Sequence, residues 1–368
     1  MTRILAILTV RNEGAFLLDW FAHHRAAGVT DFLVFSNDCA DGTDAMLDRL
    51  ARLGWLSHVR NDGPHRRSAQ WDALARAESH PLRAAADWIV TLDIDEYVNI
   101  HAGDGTVPAL LGALPGATAI TMTWRLFGNA GVVAFEDRPV TEVFTRAAPA
   151  IVGWPWRASL FKTLFRNDGT YARLGVHRPR RPDPARIAAA RWHDGSGRPL
   201  PDAFRTARIF APLGQDNFGL VQLNHYALGA MESYIVKVDR GRANRDGPAF
   251  DMSYWVERNL CSDEDRSIAR MRPVSDPIRA MLAADPVLGP LHRHAVAWRC
   301  ARFEALMLEE PFRSLFGRLL MVPPSHPVGP EGTRRLTAFA LRATGLRSVP
   351  GAVGDGAAEG PPGSPQPD

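Results

Sequence analysis

Cysteine is scarce in this chain: its 368 residues hold three, Cys39, Cys261 and Cys300, odd in number and widely spaced. They allow neither a disulfide framework nor a paired-cysteine metal knuckle, so a reducing, cytoplasmic setting is expected. Long apolar runs are lacking as well. No stretch reaches the roughly 20 residues that a membrane span needs. The apolar segment after Arg3 ends at Arg11 with no small-residue cleavage site behind it, which does not fit a secretion signal. A soluble protein without a transmembrane segment is expected, at most peripheral to an inner membrane. Charge of one sign is missing too. Lys and Arg number 43 against 40 Asp and Glu, a formal net of +3, and Arg178, Arg180 and Arg181 form the main local cluster. That balance argues against general nucleic-acid binding and still permits one anionic ligand. There is no internal repeat.

What is present is alternation. Residues 3–10 read as a buried strand and residues 14–27 as a helix with Phe16, Leu17, Trp20, Phe21 and His24 on one face and Gly28 as its stop. A second strand over 31–36 follows, then a helix begun by the turn Asp41-Gly42-Thr43-Asp44 and ended near Gly54, then a short strand over 55–60. A helical segment from Ser68 is interrupted at Pro81, and a strand over 88–92 leads into Asp93-Ile94-Asp95-Glu96. Such alternation predicts an α/β fold built from parallel βαβ units. A strand is expected over 117–124, loops with short strands over 149–220, a last strand over 221–224, and a helix stopped by Gly241. Several helical stretches follow between 276 and 342, and the Gly, Pro, Ala and Ser beyond 349 read as a disordered tail.

Four polar segments follow strands: Val10-Arg11-Asn12-Glu13, Ser36-Asn37-Asp38, Asn61-Asp62-Gly63 and Asp93-Ile94-Asp95. Parallel sheets bind ligands beyond the carboxyl ends of their strands, so these segments should gather on one edge. Two carboxylates at such a rim suit a hard divalent cation shared with substrate phosphates; a solvated strand end is the plain alternative. Asn12 serves equally well as a helix cap, while Asp38 favours ligand contact. Arg66, Arg67 and Gln70 lie where a loop enters a helix, which suits a diphosphate or sugar. His225 follows a strand and could complete an Asp-rich site, more readily for Mn²⁺ than for Mg²⁺. His177 could meet an acceptor, and Trp154-Pro155-Trp156 could stack on a sugar or simply pack.

The segments 5–13, 36–38, Gln70 and 88–97 resemble the family-2-like glycosyltransferases of the GT-A fold. Trp124-Arg125-Leu126-Phe127-Gly128, Gly175-Val176-His177-Arg178-Pro179, and Asn224-His225-Tyr226 with Lys237 and Arg240-Gly241 narrow the resemblance to the branch related to glycosyltransferase family 92. It implies a GT-A-type, Rossmann-like sandwich with a mainly parallel sheet over residues 1–245, with a helical C-terminal appendage over 246–345 and a tail over 346–368 outside it. It further implies a transferase of the hexosyltransferase type. Its donor would be a nucleotide-sugar, a UDP-sugar above all, and its acceptor a glycan or lipid-linked hydroxyl in surface polysaccharide or glycoconjugate synthesis. The implied metal ligands for Mn²⁺ or Mg²⁺ are Asp93, Asp95 and His225. Val10, Asn12, Glu13, Asp38, Arg67, Gln70 and Asp93 would hold the donor, and Trp124, Trp156 and His177 the acceptor. The family's usual base motif is not visible after residue 130, which leaves Glu142, Asp194 and Asp216 as candidates for the base that deprotonates the acceptor. A nucleotidyltransferase and a non-catalytic carbohydrate-binding protein are the competing readings; the former would normally show a Gly- and Lys/Arg-rich stretch after the first strand.

Overall fold

The computed structural model describes residues 2–241 and 250–343. Strands β1 (Ile4–Val10), β2 (Asp31–Ser36), β3 (Ser57–Arg60) and β4 (Trp88–Leu92) lie parallel in the order β3-β2-β1-β4. The apolar runs of β1, β2 and β4 are explained by two cores. In β1, Ile4, Ala6, Leu8 and Val10 enter one core, while Leu5 and Ile7 enter the other. Helices α1 (Gly14–Ala26) and α2 (Thr43–Arg52) cover the first face, and α3 (Ala69–Ala77) covers the second. Each fully buried Leu, Ile or Phe contributes roughly 1.5–3 kcal/mol of transfer free energy, so a strand apolar on both faces is held firmly between layers.

Beyond β4 the sheet changes direction. Only Asp93, Ile94 and Asp95 separate β4 from β5 (Glu96–Ile100), yet these strands are not neighbours. Between them lie β7 (Phe161–Arg166), β6 (Ala119–Leu126) and β9 (Val221–His225), giving the order β4-β7-β6-β9-β5, with the short β8 (Trp192–His193) beside β6. Residues 119–123 of β6 pair antiparallel with β7, while residues 124–126 pair parallel with β9. Five of the eight strand pairings are parallel. The central sheet is therefore mainly parallel, as expected. Two elements differ from the expectation. β7 lies inside residues 149–220, where loops with short strands are expected, and is longer than that reading suggests because Lys162 and Thr163, both buried, break its apolar pattern. β5 is a strand for which the sequence carries no separate expectation.

Helix α1 was expected to bury one face and buries nearly all of itself. The sheet takes one side, and the other is covered by the C-terminal helices Arg272–Ala283 and Leu288–Leu306. Leu282, Leu288 and Ala295 share the first core, and Arg49 pairs with Asp285 at 2.7 Å. Helix α4 (Met231–Arg240) forms a third core with Trp255, Phe303, Leu306 and Leu319. The C-terminal helices are thus packed against the sheet-bearing part. The expected boundary at 245 and the tail over 346–368 lie outside the described residues. Among the described residues no helix is long and apolar enough to cross a membrane.

Two buried histidines of α1 close the edge strand β5. His23 Nε2 donates to the Val98 carbonyl (2.8 Å), and His24 donates from Nδ1 to the Trp20 carbonyl (2.8 Å) while its Nε2 accepts from the Val98 amide (3.3 Å). Burial pushes His23 down to about 4 and His24 well below its ordinary value. The unfolded chain takes up protons below about 6.5 and the folded chain does not, so this contribution is present above pH 6.5 and lost as pH falls toward 4. For His23 alone the loss is about 3 kcal/mol at the lower limit. Burial raises Asp19, beside Tyr97, to about 6, which favours the folded state as pH falls and offsets part of the loss. Urea midpoints should fall between pH 6.5 and 4, less steeply for His23→Gln; a midpoint constant over that window contradicts the assignment.

Candidate active site

The floor of the site is the crossing from β4 to β5. Glu96, the first residue of β5, is fully buried and points away from solvent. Its Oε1 accepts the Trp124 indole N–H (2.6 Å), its Oε2 accepts the Asp93 amide (2.9 Å), and the Lys162 ammonium of β7 lies 3.4 Å from Oε2. Burial pushes Glu96 upward, Asp93 and Asp95 add to the rise, and Lys162 opposes it. All three contacts come from donors, which favours the carboxylate form. Lys162 is fully buried and also holds Asp93 Oδ2 at 2.8 Å, while Gln70 donates to Asp93 Oδ1 at 3.0 Å. Although burial works against its charge, these carboxylates keep Lys162 above its usual range.

Asp95 is oriented from the opposite side. Lys237 of α4 donates to its Oδ2 at 2.7 Å, and His225 Nε2, at the end of β9, lies 3.7 Å from the same oxygen. Burial opposes the Asp95 charge, but Lys237 and His225 together hold the carboxyl well below its ordinary value. His225 is 4% exposed and lies against the Trp124 ring with centroids 4.1 Å apart. Burial lowers its pKa despite Asp95, which keeps the imidazole neutral, and its Nδ1 is buried without a partner among the described residues. Trp124 therefore fixes two things at once: its N–H anchors Glu96, and its ring supports His225.

Above this floor opens a cleft of about 500 Å³. Its anionic walls are Asp38, Asp93 and Asp95; its cationic walls are Arg11, Arg67, Arg157, Lys237, Arg240 and Arg258. The first three strand ends are tied into its rim by buried amides. Asn61 Nδ2 donates to Asn37 Oδ1 (2.6 Å), and Asn37 Nδ2 donates to the Val10 carbonyl (3.0 Å). Asp38 takes a positive φ of 42° and accepts the Gly63 amide at 3.2 Å, closing the loops after β2 and β3 on each other.

Of the expected residues, Asp38, Arg67, Gln70, Asp93, Asp95, Trp124, His177 and His225 line this one cleft. His177 Nδ1 lies 3.0 Å from the Phe161 carbonyl, to which it donates, so Nε2 keeps the lone pair; burial and Lys162 lower its pKa to about 4. Val10 and Asn12 are not among the residues that line the cleft: Val10 is buried and gives its carbonyl to Asn37, and the half-buried Asn12 accepts the Ala40 amide on Oδ1 at 2.7 Å. Asn12 caps no helix. Asp41 reaches the α1 N-terminus instead, accepting the Gly14 amide at 2.9 Å. Glu13 is buried in ion pairs with Arg240 and Arg299 behind the cleft.

Four expected residues are not brought together with these. Trp156 sits in a short 3₁₀ turn, and its neighbour Arg157 reaches the cleft in its place. Glu142 pairs with Arg138 and Arg272 away from the cleft. Asp194 is fully buried and saturated by its own turn, accepting the Ser196 and Arg198 amides at 2.9 Å each and Arg198 Nε at 2.8 Å. Asp216 accepts the Phe218 amide at 2.8 Å in its own loop. None of the three lines the cleft, so none is placed to act as the base there.

Lys162 went unread in the sequence, although a signal was present. Of the 43 basic residues, Lys162 and Lys237 are the two lysines and 41 are arginine. Both contact the acidic crossing.

No family model matches the chain. A stretch of 96 residues, 26% of the chain, is 25% identical to a glycosyltransferase family 92 protein of Ricinus communis. This chain is similar to a family 92 glycosyltransferase. The match spans 16% of that relative's length. Among solved structures, glucosyl-3-phosphoglycerate synthase of Mycobacterium tuberculosis aligns at 18% identity over 46% of this chain and 58% of its own, with a TM-score of 0.27. TarS residues 1–349 of S. aureus align at 12% identity over 45% and 47%, also with a TM-score of 0.27. The architecture rests on the strand order above.

Removing Lys162 leaves two carboxylates without their buried counter-ion. Lys162→Met should destabilise the fold by about 3–5 kcal/mol, the usual cost of breaking a buried pair from one side. Adding Glu96→Gln should cost less than the sum of the two changes. Additive effects in urea titrations would refute the coupling.

Proposed function

We propose that this protein is a glycosyltransferase moving a sugar from a nucleotide-sugar, with a UDP-sugar as the expected donor, to a hydroxyl of a glycan or lipid-linked acceptor. The observation that carries the reading is Asp95, facing both His225 and Lys237 in a basic-walled cleft at the carboxyl ends of a parallel sheet. Cytoplasmic synthesis of a surface polysaccharide or glycoconjugate is the setting proposed with it.

The residues fit a divalent cation in a restricted way. Among the described residues no group of three or more His, Cys, Asp or Glu could hold a metal. Asp95 and the neutral His225 can supply two ligands, and Mg²⁺ or Mn²⁺ bound by so few side chains completes its shell with water and substrate phosphate. Bound there, the cation would neutralise charge on the departing diphosphate. Asp93, with its oxygens already engaged by Lys162 and Gln70, is suited to a donor hydroxyl or a metal-linked water. Arg11, Arg67 and Arg240 offer charge to the diphosphate, and Asp38 offers a carboxylate at the nucleoside end. His177 presents the Nε2 lone pair beside Trp124, and in this reading it accepts the proton of the acceptor hydroxyl in place of Glu142, Asp194 or Asp216.

With Mn²⁺ and a panel of UDP-sugars, Asp95→Asn should lower donor hydrolysis and transfer by at least 100-fold, while Glu142→Gln and Asp216→Asn should stay within about twofold of the parent, in keeping with the size of lost electrostatic stabilisation. Unchanged transfer by Asp95→Asn would remove the basis of this mechanism. Release of the nucleoside diphosphate with the sugar passed to a hydroxyl separates a transferase from a nucleotidyltransferase, which would instead need a nucleoside triphosphate and a sugar phosphate to form a nucleotide-sugar and pyrophosphate.

A further inference from the structure

The two lysines are not equivalent. Lys162 is fully buried between two carboxylates, 2.8 Å from Asp93 and 3.4 Å from Glu96, and has no route to solvent or ligand. Lys237 lines the cleft, is partly exposed, and contacts the single carboxylate Asp95. Its ammonium also donates to the Ala227 carbonyl at 2.7 Å and lies 5.2 Å and 5.8 Å from the ring centroids of Phe250 and Tyr254. It holds Asp95 Oδ2, the same oxygen that faces His225 Nε2. Asp95 and His225 would hold a divalent cation beside that oxygen, where it would stand against the ammonium with like charge.

Resting on the donor-site reading above, we propose that Lys237 is an exchangeable counter-ion: it occupies Asp95 when the cation is absent and turns its ammonium to the donor diphosphate when the cation binds. Lysine suits this task better than arginine. Its ammonium is a compact charge on a flexible stem, with three donors that can be re-aimed, whereas a guanidinium grips a carboxylate bidentately and holds a fixed fork. In a chain with 41 arginines, a lysine at this position is a departure from its own habit. The exchange has a thermodynamic consequence. The cation alone must displace the ammonium from the carboxylate it pairs with, so it binds weakly. With the diphosphate present the displaced ammonium gains a partner. Cation and nucleoside diphosphate therefore favour each other beyond their direct contact, and the coupling is reciprocal.

The test uses the full chain with Mn²⁺ alone, UDP alone and both together, read by titration calorimetry and by the Mn²⁺ electron paramagnetic resonance signal. Lys237→Met should bind Mn²⁺ alone at least tenfold more tightly than the parent. It should bind UDP at saturating Mn²⁺ at least tenfold more weakly, so that the coupling factor falls. Lys237→Arg, which keeps the ion pair with Asp95, should leave Mn²⁺ binding weak without restoring UDP affinity; this variant decides the matter if the Met variant does not fold. Unchanged or weaker Mn²⁺ binding by Lys237→Met, with Mn²⁺-UDP still bound by the parent, overturns the exchange and leaves the donor site standing. A parent protein that binds neither Mn²⁺ nor UDP overturns both.

Discussion

The structure depends on a buried charge balance: one ammonium, Lys162, against Glu96 and Asp93. Charges taken out of water are tolerated only with opposite charge and donors close by, and this need dictates topology. Glu96 enters the interior because β5 must leave β4 after three residues and cross to the far side of the sheet. The Lys162 ammonium can reach both carboxylates because β7 runs antiparallel between β4 and β6, so its buried face looks onto the crossing. Trp124 completes the arrangement from β6, where pairing passes from β7 to β9. The break in the parallel sheet and the acidic crossing are therefore one feature. A wholly parallel sheet would bring no strand of this direction past Asp93.

From that anchor the site is built outward in steps of decreasing rigidity. Glu96 is fixed by three donors, and Asp93 is fixed by Lys162 and Gln70. Asp95 is held by Lys237, a group that lines the cleft itself. Fully buried ionic groups serve to aim those that meet solvent, and Asp95 keeps an exchangeable partner. The amides joining Asn61, Asn37 and Val10 do the same for the first three strands without charge, satisfying backbone groups that would otherwise be stranded at the strand ends.

Much of this was legible in the sequence, and the limits of legibility have physical causes. β1, β2 and β4 could be read because strands buried on both faces are apolar almost throughout, and the gathering of the polar strand ends follows from parallel topology. The loops they support could be placed for the same reason, which put Asp38, Gln70, Asp93, Asp95 and His225 in one cleft. Among the short strands expected over 149–220, the extent of β7 could not be read, because a buried lysine looks like an exposed one until its partners are known. The supposed bases failed on a related ground. Asp194 and Asp216 are turn residues that bond their own backbones, and a carboxylate used in this way carries no mark in sequence that separates it from a catalytic one.

Composition carries a signal that motifs did not. A protein that meets nearly every need for positive charge with arginine retains lysine where a guanidinium is unsuitable. At Lys162 the reason is space: one ammonium must lie close to two carboxylates within a packed sheet, where a planar fork of five donors would leave some of them unpaired. At Lys237 the reason is exchange. A group that must hold Asp95 firmly in one state and release it in another is better as a point charge than as a bidentate clamp. The same residue type thus answers opposite demands, fixity at the fully buried position and mobility at the one that lines the cleft. What separates them is the number of carboxylates each faces: two for Lys162 and one for Lys237.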